Sequence, residues 1–134
     1  MIKLIDEFGK NAGEIYKSLN CNGAAMSQSK LQKTTNLSDD GFYVGIGWLA
    51  RENKIKKTGI SYRLGETNLT QKIGTNAGKI WKFLDTQKEA NISIIMRQTN
   101  LNEKETHSAL GWLARENKID VYIGKNNQLV FRLK

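Results

Sequence analysis

The sequence predicts a mainly helical α+β chain in which one unit, three helices followed by a β-hairpin, is laid down twice. Three observations predict it. The nine residues Gly47-Trp48-Leu49-Ala50-Arg51-Glu52-Asn53-Lys54-Ile55 return letter for letter as Gly111-Trp112-Leu113-Ala114-Arg115-Glu116-Asn117-Lys118-Ile119. Ahead of each copy, apolar residues recur three and four apart, the spacing of one helical face. After each copy, apolar and polar residues alternate, the spacing of a strand. The units are read as residues 1–66 and 67–134. A unit of about 65 residues lies near the size at which a single core is marginal, so the two are expected to lean on one another or on a partner.

Each unit opens with an amphipathic helix, over residues 9–22 and 74–87. Ala12, Ile15, Tyr16 and Leu19 share one face, as do Ala77, Ile80, Trp81 and Leu84. Asn11 and Thr75 are candidate N-caps, and residues 1–8 read as a helical extension with Leu4, Ile5 and Phe8 inward. A short second helix follows over about residues 28–35 and 92–98, capped by Ser27 and Asn91. The repeat offset falls from 65 in the first helix to 64 afterwards. The loop between them must absorb the change, because an insertion inside a helix would rotate every later core residue off its face. The third helix starts at Ser38 or Asn102, the latter forming a capping box with Glu105, and runs to about Asn53 or Asn117. Lys56-Lys57-Thr58-Gly59 reads as a tight turn before a strand at residues 60–64. Residues 119–123 and 128–133 read as a longer hairpin around Gly124-Lys125-Asn126-Asn127. The connector of residues 65–73 has no proline and reads as a structured join, with Leu69 and Ile73 packed.

Composition narrows the function classes. Hydrophobic residues make up 39% and no stretch reaches the length of a membrane span. The acidic start, Met1-Ile2-Lys3-Leu4-Ile5-Asp6-Glu7, does not read as a secretory leader, so a cytoplasmic location is expected and no membrane partner. Cys21 is the single cysteine and cannot form an internal disulfide. The net charge of +8 favours encounter with acidic surfaces or nucleic acid. It is spread along the chain: residues 1–70 carry 10 Lys+Arg against 7 Asp+Glu, and residues 71–134 carry 11 against 6.

Three helices, the second and third joined by a tight turn, and then a hairpin make the order of a winged helix-turn-helix, present here in tandem. The opening patterns Ala12-Gly13-Glu14-Ile15-Tyr16-Lys17-Ser18-Leu19 and Ala77-Gly78-Lys79-Ile80-Trp81-Lys82-Phe83-Leu84, with the closing Gly-Trp-Leu-Ala-Arg-Glu-Asn-Lys-Ile segments, resemble a small bacterial and archaeal winged helix-turn-helix family of unassigned function. Tyr16 departs from that family's tryptophan. The resemblance implies the fold and, by fold-level analogy, double-stranded DNA binding. The usual member resembles one unit, so the tandem can imitate a dimer within one polypeptide.

DNA binding requires side chains that reach base edges from the third helix and phosphates from the wing. The candidates are Lys30, Lys33, Tyr43, Lys56, Lys57 and Arg63 in the first unit, and Arg97, Lys104, His107, Lys125, Asn126, Asn127 and Arg132 in the second. Asp39-Asp40 at the start of one third helix, and Glu103 and Glu105 at the other, oppose base reading, so wing and second-helix contacts to phosphates are favoured. Trp48, Trp112, Trp81, Gly47, Gly111, Leu49 and Leu113 are read as structural, the tryptophans pinning third helix to first. Arg51 and Arg115 are read as serving the helix dipole and local pairs with Glu52 and Glu116. His107, the only histidine, is read as an exposed helix residue, and one histidine excludes multi-histidine metal sites. No phosphate loop or carboxylate pair points to catalysis, a cofactor or a metal. A non-enzymatic protein follows. The rival to DNA is a protein-interaction or self-association module presenting Phe42, Tyr43 or the 119–133 hairpin.

Overall fold

The computed structural model describes residues 3–134. Met1 and Ile2, which belong to the expected helical extension and to the segment read as lacking a leader, lie outside the described residues. The first unit consists of helix α1 (Leu4–Asn22), strand β1 (Met26–Ser27), helices α2 (Gln28–Thr35) and α3 (Asp39–Arg51), and strands β2 (Ile55–Thr58) and β3 (Ser61–Leu64). The second repeats the plan with α4 (Thr70–Gln87), β4 (Glu89–Asn91), α5 (Ile92–Thr99), α6 (Glu103–Arg115), β5 (Ile119–Ile123) and β6 (Leu129–Leu133).

The first helices begin a turn or more earlier than their candidate caps. Asn11 and Thr75 lie inside α1 and α4, whose N-caps are Lys3 and Leu69. The apolar periodicity continues back through Phe8 and Ile73, so the helix gains burial by extending over them. Ser27, Asn91, Ser38 and Asn102 cap the second and third helices as expected, each accepting a backbone N–H three residues on. The change of repeat offset falls in the loop after the first helix, residues 23–25 in one unit and Lys88 in the other.

Each sheet has three strands, not the two of a bare hairpin, because β1 pairs with β3 and β4 with β6. Lys56 and Lys57 lie in β2 and not in the turn, which is at Gly59 and Ile60. Gly59 takes a φ of +62° there, a conformation glycine adopts without steric cost. Cross-strand register sorts the wing into two faces: Lys57 stands opposite the buried Tyr62, and Lys56 opposite the exposed Arg63.

Two cores result, and they exchange residues. Phe8 of α1 and Val44 of α3 pack into the second unit's core, with the Phe8 and Phe131 rings 6.3 Å apart, while Ile73 of α4 packs into the first. The connector is tied down: Asn68 exchanges hydrogen bonds with the Lys57 backbone, and Asn53 Oδ1 accepts from Thr67 N at 2.9 Å. Tyr16 and Trp81, expected inward, are 39% and 38% exposed. Each follows directly on a fully buried isoleucine and is turned about 100° from it, to the edge of the apolar stripe.

The most consequential contact lies between the units. α3 and α6 pack directly on each other, so closely at Gly47 and Gly111 that a Cβ on the first would meet the Ser108 carbonyl and on the second the Val44 carbonyl. Trp48 also packs on Gly9 of α1, and Trp112 on Gly74 of α4, so each tryptophan does pin third helix to first while remaining half-buried against both cores. Arg51 Nε donates to Glu116 at 3.0 Å and Arg115 Nε to Glu52 at 2.9 Å. The pairs expected within one helix end instead join the two units. The reciprocity is that of a two-fold interface built into one chain.

Candidate nucleic-acid interface

The α3–α6 contact decides what remains for a ligand. In a winged helix the outer face of the third helix enters the major groove; here those faces close on each other, and Thr106, His107 and Ser108 are buried among them. His107, expected to be exposed, is 7% exposed. Its Nδ1 lies 2.7 Å from the Glu103 carbonyl and 3.6 Å from Asp40 Oδ1 of the other unit. It cannot reach a base edge. Its sequence neighbours are polar, and only the packing of the first unit's α3 against α6 covers it.

The remaining candidates fall into three groups. Lys30 and Lys33 share the exposed face of α2, three residues apart, while Leu31 turns into the core. Lys56 and Arg63 lie on the outer face of the first wing, and none of the four makes an ion pair among the described residues. The second wing differs. Arg132 stands opposite Asp120 and Glu89 in the register and lies 5.3 Å over the Tyr122 ring, whose hydroxyl hydrogen-bonds to Glu89. That contact with Glu89 raises the Tyr122 pKa. Lys125, Asn126 and Asn127 form the exposed tip, and Arg97 stands alone on α5. The second wing therefore offers fewer uncompensated cations than the first, although the positive charge is spread over both units.

The third group lies between the units. Tyr43 is half-buried, its hydroxyl accepting from Gln28 Nε2 at 2.8 Å, with Lys104 Nζ 5.7 Å above its ring. Lys57 and Lys104 line one cavity, and the Lys57 pKa is lowered, first by its interaction with the Lys104 side chain, then by burial and the Lys104 charge. Sequence reasoning proposed Lys57 and Lys104 as separate contacts and missed Lys72, Asn76, Asn102 and Ser108, which line with them one cavity of about 250 Å³. A related cavity of about 400 Å³ on the other side of the two-fold is walled by Phe8, Val44, Leu129 and Phe131, with Asp40, Glu103 and His107. The signal that could have found both was the alignment of the repeats, in which Lys104 stands at the place of Asp40 and Ser108 at the place of Val44.

Both halves of the chain, residues 1–64 and 68–133, match the model of the family described as winged helix-turn-helix domain (DUF2582). The chain belongs to that family. This DUF2582 chain is also similar to a Methanocaldococcus jannaschii protein described as uncharacterized protein MJ1608, with 38% identity over 65 residues. The match covers 47% of this chain and 91% of the relative, which is thus about one unit long. No solved structure matches. The winged-helix fold is one used generally in DNA binding and regulation. Among the described residues no helix is long and apolar enough to cross a membrane, and no cluster of three or more His, Cys, Asp or Glu could hold a metal.

Proposed function

We propose that this protein is a non-enzymatic winged-helix pseudo-dimer that binds duplex DNA through backbone phosphates on its first unit, without reading bases through its third helices. The observation that carries the reading is the division of the surface. The two third helices are occupied by each other, while Lys30, Lys33, Lys56 and Arg63 remain uncompensated on the second helix and wing of one unit. Phosphate contacts of this kind position a protein on a duplex and carry no sequence information. Such a role fits the cytoplasmic location expected from the sequence.

A salt titration with two duplexes of equal length and unrelated sequence tests the reading. Four phosphate contacts predict a slope of log K against log salt of about −3.6, the same for both duplexes. Absence of binding at low ionic strength, or strong preference for one sequence, overturns it. A protein partner is the second reading, favoured by the 400 Å³ groove and by Ile60, Ile123 and Leu129, which are 77%, 57% and 38% exposed on the two hairpins.

A further inference from the structure

The cavity between the first wing and the start of α6 gathers like charge. Lys57 enters it from β2 and Lys104 from the first turn of α6, both half-buried, and neither makes an ion pair among the described residues. Two ammonium groups repel across a partly dry space unless an anion stands between them. Lys72 of α4 adds a third positive side chain to the lining. Asn76 and Ser108, 8% and 5% exposed, supply neutral polar groups from the wall. Asn11, the counterpart of Asn76, spends its amide on the Gly41 carbonyl at 3.4 Å, whereas Asn76 makes no side-chain hydrogen bond among the described residues. The one carboxylate present, Glu105, is turned back to the helix start, where its Oε1 accepts from Asn102 N at 3.0 Å.

We propose that this groove binds a phosphate dianion, either inorganic phosphate or the terminal phosphate of a small monoester, between Lys57 and Lys104 with Asn76 and Ser108 as polar partners. Two ammonium groups match a dianion, and a confined cavity of about 250 Å³ suits a phosphate that ends a molecule. A duplex backbone must continue on both sides of each phosphate. The site uses none of the four cations assigned above to DNA, so it stands independently of that reading. Because its walls come from both units, occupancy fastens them together and stabilises the fold by mass action.

Thermal unfolding of the full chain with inorganic phosphate, against chloride at matched ionic strength, tests the site. The expected result is a saturable rise of roughly 10 °C in Tm when phosphate exceeds its Kd about a hundredfold. Lys104→Met should raise the Tm without phosphate, by relieving the repulsion, and abolish the phosphate response. A purely structural lysine would do neither. Phosphorus NMR of inorganic phosphate with the unaltered protein reports binding without reference to any variant's folding, and line broadening that Lys57→Gln removes is expected. AMP in place of inorganic phosphate distinguishes the sources, the tighter of the two naming the ligand. Equal phosphate responses in the unaltered chain and Lys104→Met, or no broadening with the unaltered chain, overturn the proposal. Duplex binding retained in Lys104→Met separates this site from the DNA surface.

Discussion

Asn53 and Asn117 carry φ of +60° and +61° just after the third helices, a left-handed conformation that asparagine tolerates better than most residues. They turn the chain from helix into wing, and Ile55 and Ile119 then enter the cores fully buried. Residue by residue, the repeated nonapeptide is accounted for by packing: glycine for the helix contact, tryptophan between the cores, leucine and alanine within them, arginine and glutamate across the units. Lys54 and Lys118 add ion pairs to Glu52 and Glu116 at 3.7 and 3.5 Å. Tyr62 shows what burial does to a titrating group. Only 1% exposed, its phenol has a pKa pushed up to about 12, first by burial and then by Tyr43. An unfolded tyrosine ionises near pH 10, so between pH 10 and 12 the unfolded state releases a proton that the folded state keeps. Stability from this group is full below pH 10 and is lost as pH rises toward 12, by about 2–3 kcal/mol. Denaturant titrations over that range should show the loss, and Tyr62→Phe should reduce it by that amount. An identical alkaline profile in the variant would assign the loss to other groups.

At the scale of the element, helices were legible wherever they ran long enough to show their period. The second and third helices fall within a residue or two of their expected limits, because their caps are local signals. Strands β1 and β4 were invisible, since two or three residues carry no alternation and are strands only because β3 and β6 offer them an edge. The α3–α6 contact yields a sharp prediction about glycine. Gly47→Ala or Gly111→Ala sets a methyl group against a backbone carbonyl that cannot move without its helix, and should cost about 3 kcal/mol. Gly13→Ala or Gly78→Ala, within α1 and α4 and facing open space, should gain about 0.5–1 kcal/mol. Denaturant midpoints measure both. Similar shifts for the two pairs would mean that α3 and α6 do not meet as described.

For the whole molecule, the exchange of Phe8 and Ile73 between cores makes the units interdependent. Residues 67–134 alone should therefore either unfold or pair α6 with α6 in a homodimer of the same design, which sedimentation at several concentrations would detect. A stable monomer would mean that the interface is dispensable. The sequence by itself determined the duplication, the helix order, the wings and most of the core, because caps and periodicity are written within a few turns of chain. It also supplied the candidate cations, though not their grouping. Tertiary structure alone decided that the third helices face each other, that His107 is buried, and that Lys57 and Lys104 share a groove. Those outcomes depend on residues about half the chain apart, and an outward helical face has the same local pattern whether it meets DNA or its own repeat.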